Sequence, residues 1–266
     1  MAHYEVTRAK GFDLSDHDPR HKGKVDSKAE GRAEVAKLTT RLDALQETFY
    51  ADGRHKLLVV LQGMDTAGKG GAVRKVFEGV NPTGVRVASF KAPTEAELAH
   101  DFLWRVHPHT PASGEIAIFD RSHYEDVLIV RVHDLVPEAR WKARYDHIRH
   151  FESMLADEGT IIRKFFLHIS KAEQAERLQA RLDNPDKHWK FRVSDLDERR
   201  YWDDYQAAYE EMIRHTATPD APWYVVPADR KWHRDLVICR VLVDTLEQLD
   251  LRYPPSPDDL TGVVVE

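Results

Sequence analysis

The chain has 266 residues, 42% of them hydrophobic and 32% charged, with a formal net charge of −6 at pH 7. That size suits one large domain or one domain with appendages, and no apolar run is long enough to span a membrane. The polar start (Met1-Ala-His-Tyr-Glu5) lacks the pattern of a secretory signal, and the lone cysteine, Cys239, precludes an internal disulfide, so a reducing cytoplasm is the expected setting. The negative balance argues against bulk nucleic acid as a partner, and no membrane partner is expected; a polyanion would have to be met by a local basic patch.

Residues 1–27 are polar, contain Gly11, Pro19 and Gly23, and read as an irregular arm rather than a core element. From Ala29 to about Tyr50, apolar residues at Val35, Leu38, Leu42, Leu45 and Phe49 recur at helical spacing, which predicts an amphipathic helix ending at Ala51-Asp-Gly-Arg54. Leu57–Leu61 form a run short and branched enough to be a strand buried on both faces. Directly after it, Gly63-Met-Asp-Thr-Ala-Gly-Lys69 matches G-x-x-x-x-G-K, followed by Gly70 and Gly71. Glycines let backbone N–H groups turn inward as a nest for oxyanions, the next helix offers its positive end, and the lysine reaches a phosphoryl group. The alternative, an ordinary glycine-rich turn, leaves Lys69 without a purpose. One position departs from the usual loop: Gly70 stands where a Ser or Thr holds magnesium, which makes Asp65 the nearest replacement oxygen.

The helical pattern Ala72–Glu78 stops at Gly79, and Asn81-Pro-Thr-Gly84 is a turn before a second strand, Val85–Phe90. A helix is expected from Pro93 to about Val106, a loop at Pro111–Gly114, and a third strand at Glu115–Asp120 that ends on a carboxylate. Helical pattern resumes through Arg121–Val132 and Glu138–Leu155, and a fourth strand is expected near Ile161–Ile169. A polar, partly basic segment, Arg177–Arg192, precedes a Tyr- and Trp-rich helix (Leu196–Ile213), a fifth strand (Trp223–Pro227) and a last helix (Arg234–Leu249). The expected organisation is an arm (1–27), an α/β domain (28–252) with a lid at about 177–195, and a loose tail (253–266). Alternating strands and helices imply a parallel five-stranded sheet between two helical layers, with ligands beyond the carboxyl ends of its strands.

Asp65 and Asp120 both fall at such ends. Together they form a candidate two-carboxylate magnesium site; alone, Asp120 would read as a helix N-cap. Arg121 is placed to lie against phosphates, its other reading being a surface arginine. The segment holding Arg177, Arg181, Lys187, Lys190 and Arg192 reads as a mobile lid in preference to a solvated face. His107, His109, His147 and His150 have metal-like spacings but no converging partners, and read as structural or solvated. No Ser/His/Asp arrangement stands out, and none is needed: a nucleotide's terminal phosphate oxygens are already anionic nucleophiles.

Taken together, Gly63–Gly71, Asn81–Gly84, Phe90-Lys-Ala-Pro-Thr94, His100-Asp-Phe-Leu-Trp-Arg105, Phe119–Val127 and Arg181–Lys190 resemble the motifs of the polyphosphate kinase 2 family, over about residues 30–250. The resemblance implies a phosphate-loop (P-loop) kinase fold similar to thymidylate kinase, dependence on magnesium (manganese as a substitute), and inorganic polyphosphate as reversible phosphoryl donor. It implies catalytic roles for Asp65, Lys69, Asp120, Arg121 and the lid's Arg181. Phosphate and nucleotide binding would fall to Gly63, Met64, Thr66, Ala67, Gly68, Gly70, Gly71, Glu125, Lys187 and Lys190. Asp65 and Asp120 would hold the metal, with Glu125 as a third candidate. Ser122-His-Tyr-Glu-Asp126 resembles the class III members, which phosphorylate AMP and ADP; guanine nucleotides are an alternative acceptor, and a homo-oligomer is expected. The rival readings are an ATP-dependent nucleoside monophosphate kinase, opposed by Gly70 and the basic lid, and a non-catalytic nucleotide switch, opposed by the joint presence of Asp65, Lys69 and Asp120.

Overall fold

In a computed structural model the described residues are 3–8 and 10–265. The six strands are β1 (Glu5–Val6), β2 (Lys56–Gln62), β3 (Val85–Ser89), β4 (Ile116–Asp120), β5 (Thr160–His168) and β6 (Trp223–Pro227). The α-helices are α1 (Lys28–Asp52), α2 (Lys69–Val76), α3 (Glu95–Leu98), α4 (Ile129–Val132), α5 (Glu138–Asp157), α6 (Lys171–Leu182), α7 (Ser194–Glu198), α8 (Trp202–Thr216) and α9 (Lys231–Glu247).

The strands form one sheet in the order β1-β6-β5-β2-β4-β3. The five expected strands are all present and mutually parallel. From β2 the chain first crosses to the far position on one side, β3, returns to place β4 between β3 and β2, and then builds to the other side, β5 and β6. The carboxyl end of β2 is therefore the topological switch point, where open α/β sheets leave a crevice. Leu61 pairs with Asp120 and Gln62 with Phe166, so the residues that follow β2 sit between the ends of β4 and β5. Leu57 to Leu61 are almost wholly excluded from solvent, as a strand covered on both faces requires. On the helical side, α1 packs along α9, which also touches α2, while α5 and α8 pack together. The α1–α9 approach is close: a Cβ on Gly31 would fall 2.1 Å from Trp232 Cε3.

The arm differs from expectation. It adds a sixth strand, β1, antiparallel to β6 (Glu5 opposite Tyr224), and buries Tyr4, Val6, Phe12, Leu14 and Val25 in the common core. The helix expected from Pro93 to Val106 shrinks to α3, begun by a reciprocal Thr94–Glu97 capping box. Asp101 Oδ1 then accepts from the N–H groups of Leu103 and Trp104, offering the backbone a turn in place of the next helical bonds. The helix expected over 121–132 is likewise interrupted. Arg121 is left-handed (φ 63°), Ser122 is extended, residues His123–Val127 form a 3-10 turn, and only α4 is α-helical. Conversely, the basic segment starts inside α6, whose N-cap is Ser170. From 253 to 265 the chain is exposed and carries no helix or strand.

Candidate active site

The phosphate loop leaves β2 at Gly63 (φ 151°), where a Cβ would meet the Leu167 carbonyl oxygen at 2.8 Å. Thr66 (φ 68°) and Gly68 (φ 100°) are also left-handed, and α2 begins at Lys69. This alternation turns successive N–H groups toward a common centre. The loop is braced from behind. Arg177 on α6 donates to the carbonyls of Thr66 and Ala67, each at 2.9 Å, and its other nitrogen reaches the Ala228 and Asp229 carbonyls. Gln174 donates to the Asp65 carbonyl (3.1 Å) and Arg234 on α9 to that of Gly68 (3.1 Å). These bonds fix the loop's shape from behind through its carbonyls.

Lys69 is buried and its Nζ donates to the Gly63 carbonyl at 2.7 Å. Burial lowers its pKa, against the raising effect of Asp65. Arg121 Nη2 donates to Asp65 Oδ1 at 2.7 Å. Burial opposes ionisation of Asp65, yet the charges of Lys69 and Arg121 outweigh it and hold the carboxyl below its ordinary range. Arg121 in turn stays firmly charged: the carboxylates of Asp65 and Glu125 overcome its burial. Asp65, Thr66, Lys69, Asp120, Arg121 and Arg181 all line one cleft, with Lys190 at its rim. Glu125 lies behind it: with its amide turned to satisfy both neighbours, Gln62 donates to Glu125 Oε1 at 3.1 Å and accepts from Ser122 Oγ at 3.0 Å. Burial raises the Glu125 pKa, against the pull of Arg121 and Lys69.

A metal fits these residues. An ideal Cβ on Gly70 would stand 3.3 Å from Asp120 Oδ2, so the carboxylate occupies the space beside the loop that a Ser or Thr side chain would enter. The Thr66 hydroxyl is buried without a partner, a polar atom that a ligand oxygen would satisfy. Among the described residues no three His, Cys, Asp or Glu side chains converge into a ready-made cage. Magnesium needs none, since one or two carboxylates plus phosphate oxygens and waters suffice. The histidines expected to be structural or solvated do not gather: His109 stands against Phe90 and His147 near Phe102.

The basic segment divides. Arg177, read as a lid cation, is buried beneath the loop instead, because α6 continues through it and turns that position inward. Arg181, at the end of α6, does face the cleft, near Asp195 (3.8 Å) and donating to the Lys190 carbonyl (3.1 Å). Lys187 and Lys190 lie on a 3-10 turn begun by Asn184-Pro185. Gln174, Arg234 and the Gln62–Glu125 contact carry no signature in sequence; each is an ordinary polar residue until the fold sets it against the loop.

The polyphosphate kinase 2 (PPK2) family profile matches residues 25–254. The chain belongs to that family. The chain is 55% identical to the AMP/ADP-polyphosphate phosphotransferase of Meiothermus ruber, over the full length of both chains. It is 48% identical to the ADP-polyphosphate phosphotransferase of Rhodopseudomonas palustris, covering 81% of this chain and 79% of that one. The crystal structure of polyphosphate kinase 2 from Arthrobacter aurescens superposes with a TM-score of 0.94 at 46% identity, covering 97% of this chain and 93% of the other. The P-loop kinase fold that the resemblance implies is therefore the fold of this chain.

Proposed function

We propose that this enzyme transfers a phosphoryl group reversibly between inorganic polyphosphate and the adenine nucleotides AMP and ADP, with magnesium at Asp65 and Asp120. The observation that carries the reading is the wall of the cleft beyond the phosphate loop. Arg74, Lys75, Arg181, Lys187, Lys190 and Lys231 line a space of about 880 Å³, outnumbering its carboxylates Glu78, Glu173, Glu176 and Asp235. That is the chemistry of a long polyanion rather than of a nucleoside.

The acceptor's phosphate oxygen needs no general base. It forms a bond to the terminal phosphorus of the donor; the bridging P–O bond breaks, and the shortened chain leaves with that electron pair on oxygen. What remains for the protein is alignment and charge. The braced N–H nest and Lys69 hold the transferring group. Arg121, tied to Asp65, and Arg181, on the facing side, stabilise charge on the phosphate oxygens. Bound by Asp65 and Asp120, magnesium supplies charge neutralisation and orients phosphate oxygens; manganese meets the same oxygen donors.

Glu125 is assigned to acceptor choice, as a further carboxylate behind Asp120 and Arg121. The relative that is 55% identical carries both AMP and ADP in its name, which supports the same pair here. Initial rates with AMP, ADP and GDP, measured in parallel with polyphosphate as donor, test the assignment; a preference for GDP contradicts it. Among the described residues no helix is long and apolar enough to cross a membrane, and Cys239 is buried and free. A homo-oligomer in a cytoplasmic setting completes the proposal, and sedimentation of the purified chain reads the assembly directly.

A further inference from the structure

The donor side of the cleft does not end at the phosphate loop. Lys231 and Glu173, on its wall, also line a second groove of about 640 Å³ that runs between the arm, the start of α1 and the start of α9. Lys22, Lys28, Arg32, Arg230 and Lys231 point into this groove. Among the described residues none of the five is in an ion pair: Lys22 reaches only the Asp26 carbonyl (3.5 Å), and Arg230 only that of Arg20. Of the carboxylates nearby, Glu173 is engaged by Arg177 at 2.6 Å, and Asp229 accepts from the N–H and hydroxyl of Ser170. Asp26 and Asp229, the latter shared with Arg20, are left to oppose them. In a chain of net charge −6, five unpaired cations along one groove repel one another and favour a polyanion there.

The groove is held in place by the fold. Arg20 on the arm sits 3.8 Å from Asp229, and the Asp229 N–H donates to the Pro19 carbonyl at 3.2 Å. The Asp229 carbonyl accepts from Arg177, which braces the phosphate loop. Arm, groove and loop are thus consecutive along one path.

Resting on the reading that polyphosphate is the donor, we propose that this groove is a second donor-binding stretch, in which the arm and α1 hold the part of a long polyphosphate chain remote from the reacting phosphates. A nucleotide's phosphates are too short to occupy it while seated on the loop. The groove therefore acts on long donors only, and on their affinity rather than on turnover.

The test compares wild type with Lys28→Ala/Arg32→Ala and, separately, Lys22→Ala; all three positions are exposed and outside the reacting cleft. KM is measured for long-chain polyphosphate and for tetraphosphate, each at saturating AMP and at several salt concentrations. Losing two backbone-type charge contacts is expected to raise KM for the long chain about threefold or more at moderate salt, and to flatten its log–log salt slope by about 1.4. KM for tetraphosphate, KM for AMP and kcat are expected to stay as in wild type. Equal changes for both donor lengths, or none for either, overturn the proposal while leaving polyphosphate as the donor. A wild-type enzyme that uses neither donor overturns the underlying reading instead. A single-stranded oligonucleotide that displaces long-chain polyphosphate from wild type at equal charge concentration, but not from the variants, would assign the groove to nucleic acid and also overturn the proposal.

Discussion

Gly70 and Asp120 are fitted to each other: the carboxylate Oδ2 stands 3.3 Å from where a Cβ on residue 70 would be. The missing hydroxyl of the phosphate loop and the strand-end carboxylate are one arrangement, since filling the first position crowds the second. Replacing Gly70 with Ser is therefore expected to lower kcat by at least about tenfold, by displacing Asp120 rather than by adding a useful ligand. Asp120→Asn and Asp65→Asn keep the shape but remove a charge, and each is expected to cost about 10²-fold or more in kcat at saturating magnesium. Near-normal turnover of Asp120→Asn would remove it from the metal site.

Arg177 is predicted to act on the shape of the loop and on stability together. Its guanidinium is buried and satisfies four backbone carbonyls from two parts of the chain, 66–67 and 228–229. Truncation to Ala leaves those carbonyls and Glu173 without their donor, at a cost of about 3 kcal/mol. Urea unfolding should show the loss, and kcat should fall with KM for the donor. A variant as stable and active as wild type would mean that the loop holds its form unaided.

The two ends of this contact show what a sequence makes visible. Gly63–Lys69 and Asp120 are legible because strand, loop and motif are adjacent along the chain, and their chemistry follows from local spacing. Arg177 is not: its neighbours suggest a basic surface segment, and only the helical register of α6 turns it under the loop. The arm is hidden for the same reason. Tyr4 and Val6 look like isolated apolar residues in a polar stretch, and their burial is created by β6, near the other end of the chain. The 93–106 segment fails differently. Its composition favours a helix, but Asp101 takes the N–H groups that the helix needs.

Acid should loosen the arm. His168 and His233 are buried where it packs, and burial, assisted by neighbouring positive charge, lowers each pKa to about 4. His168 faces His17, Asp18 and Asp229; His233 bonds Tyr4 Oη at 3.0 Å and faces His21, Arg230 and Arg240. An unfolded histidine titrates near 6.5. Above that value both states are neutral and the full stability is present; as pH falls toward 4 only the unfolded chain takes up the protons. At pH 5 each histidine is expected to have cost about 2 kcal/mol. Denaturation midpoints at pH 7.5 and 5.0 should therefore differ, and His168→Gln should reduce the difference. An identical pH dependence in the variant would contradict the assignment.

Glu125 is expected to separate the two acceptors. It is held by Gln62 and couples to Arg121, and in the proposed function it takes part in acceptor choice. Using both AMP and ADP requires the attacking oxygen to hold its place while the adenosine shifts by one phosphate unit. Glu125→Asn should lower kcat/KM for AMP by about tenfold more than for ADP, a difference of about 1.4 kcal/mol in transition-state binding. Equal losses, or none, would put acceptor choice elsewhere.

The most direct test of the whole account is phosphoryl transfer in a mixture of the enzyme, AMP, magnesium and polyphosphate with no nucleoside triphosphate present, followed by phosphorus NMR. The account predicts that ADP and then ATP resonances grow as polyphosphate end groups change, that a chelator stops them, and that Asp120→Asn slows them about 10²-fold. No transfer from polyphosphate, with AMP phosphorylated as soon as ATP is added, would contradict it and make the chain an ATP-dependent nucleoside monophosphate kinase.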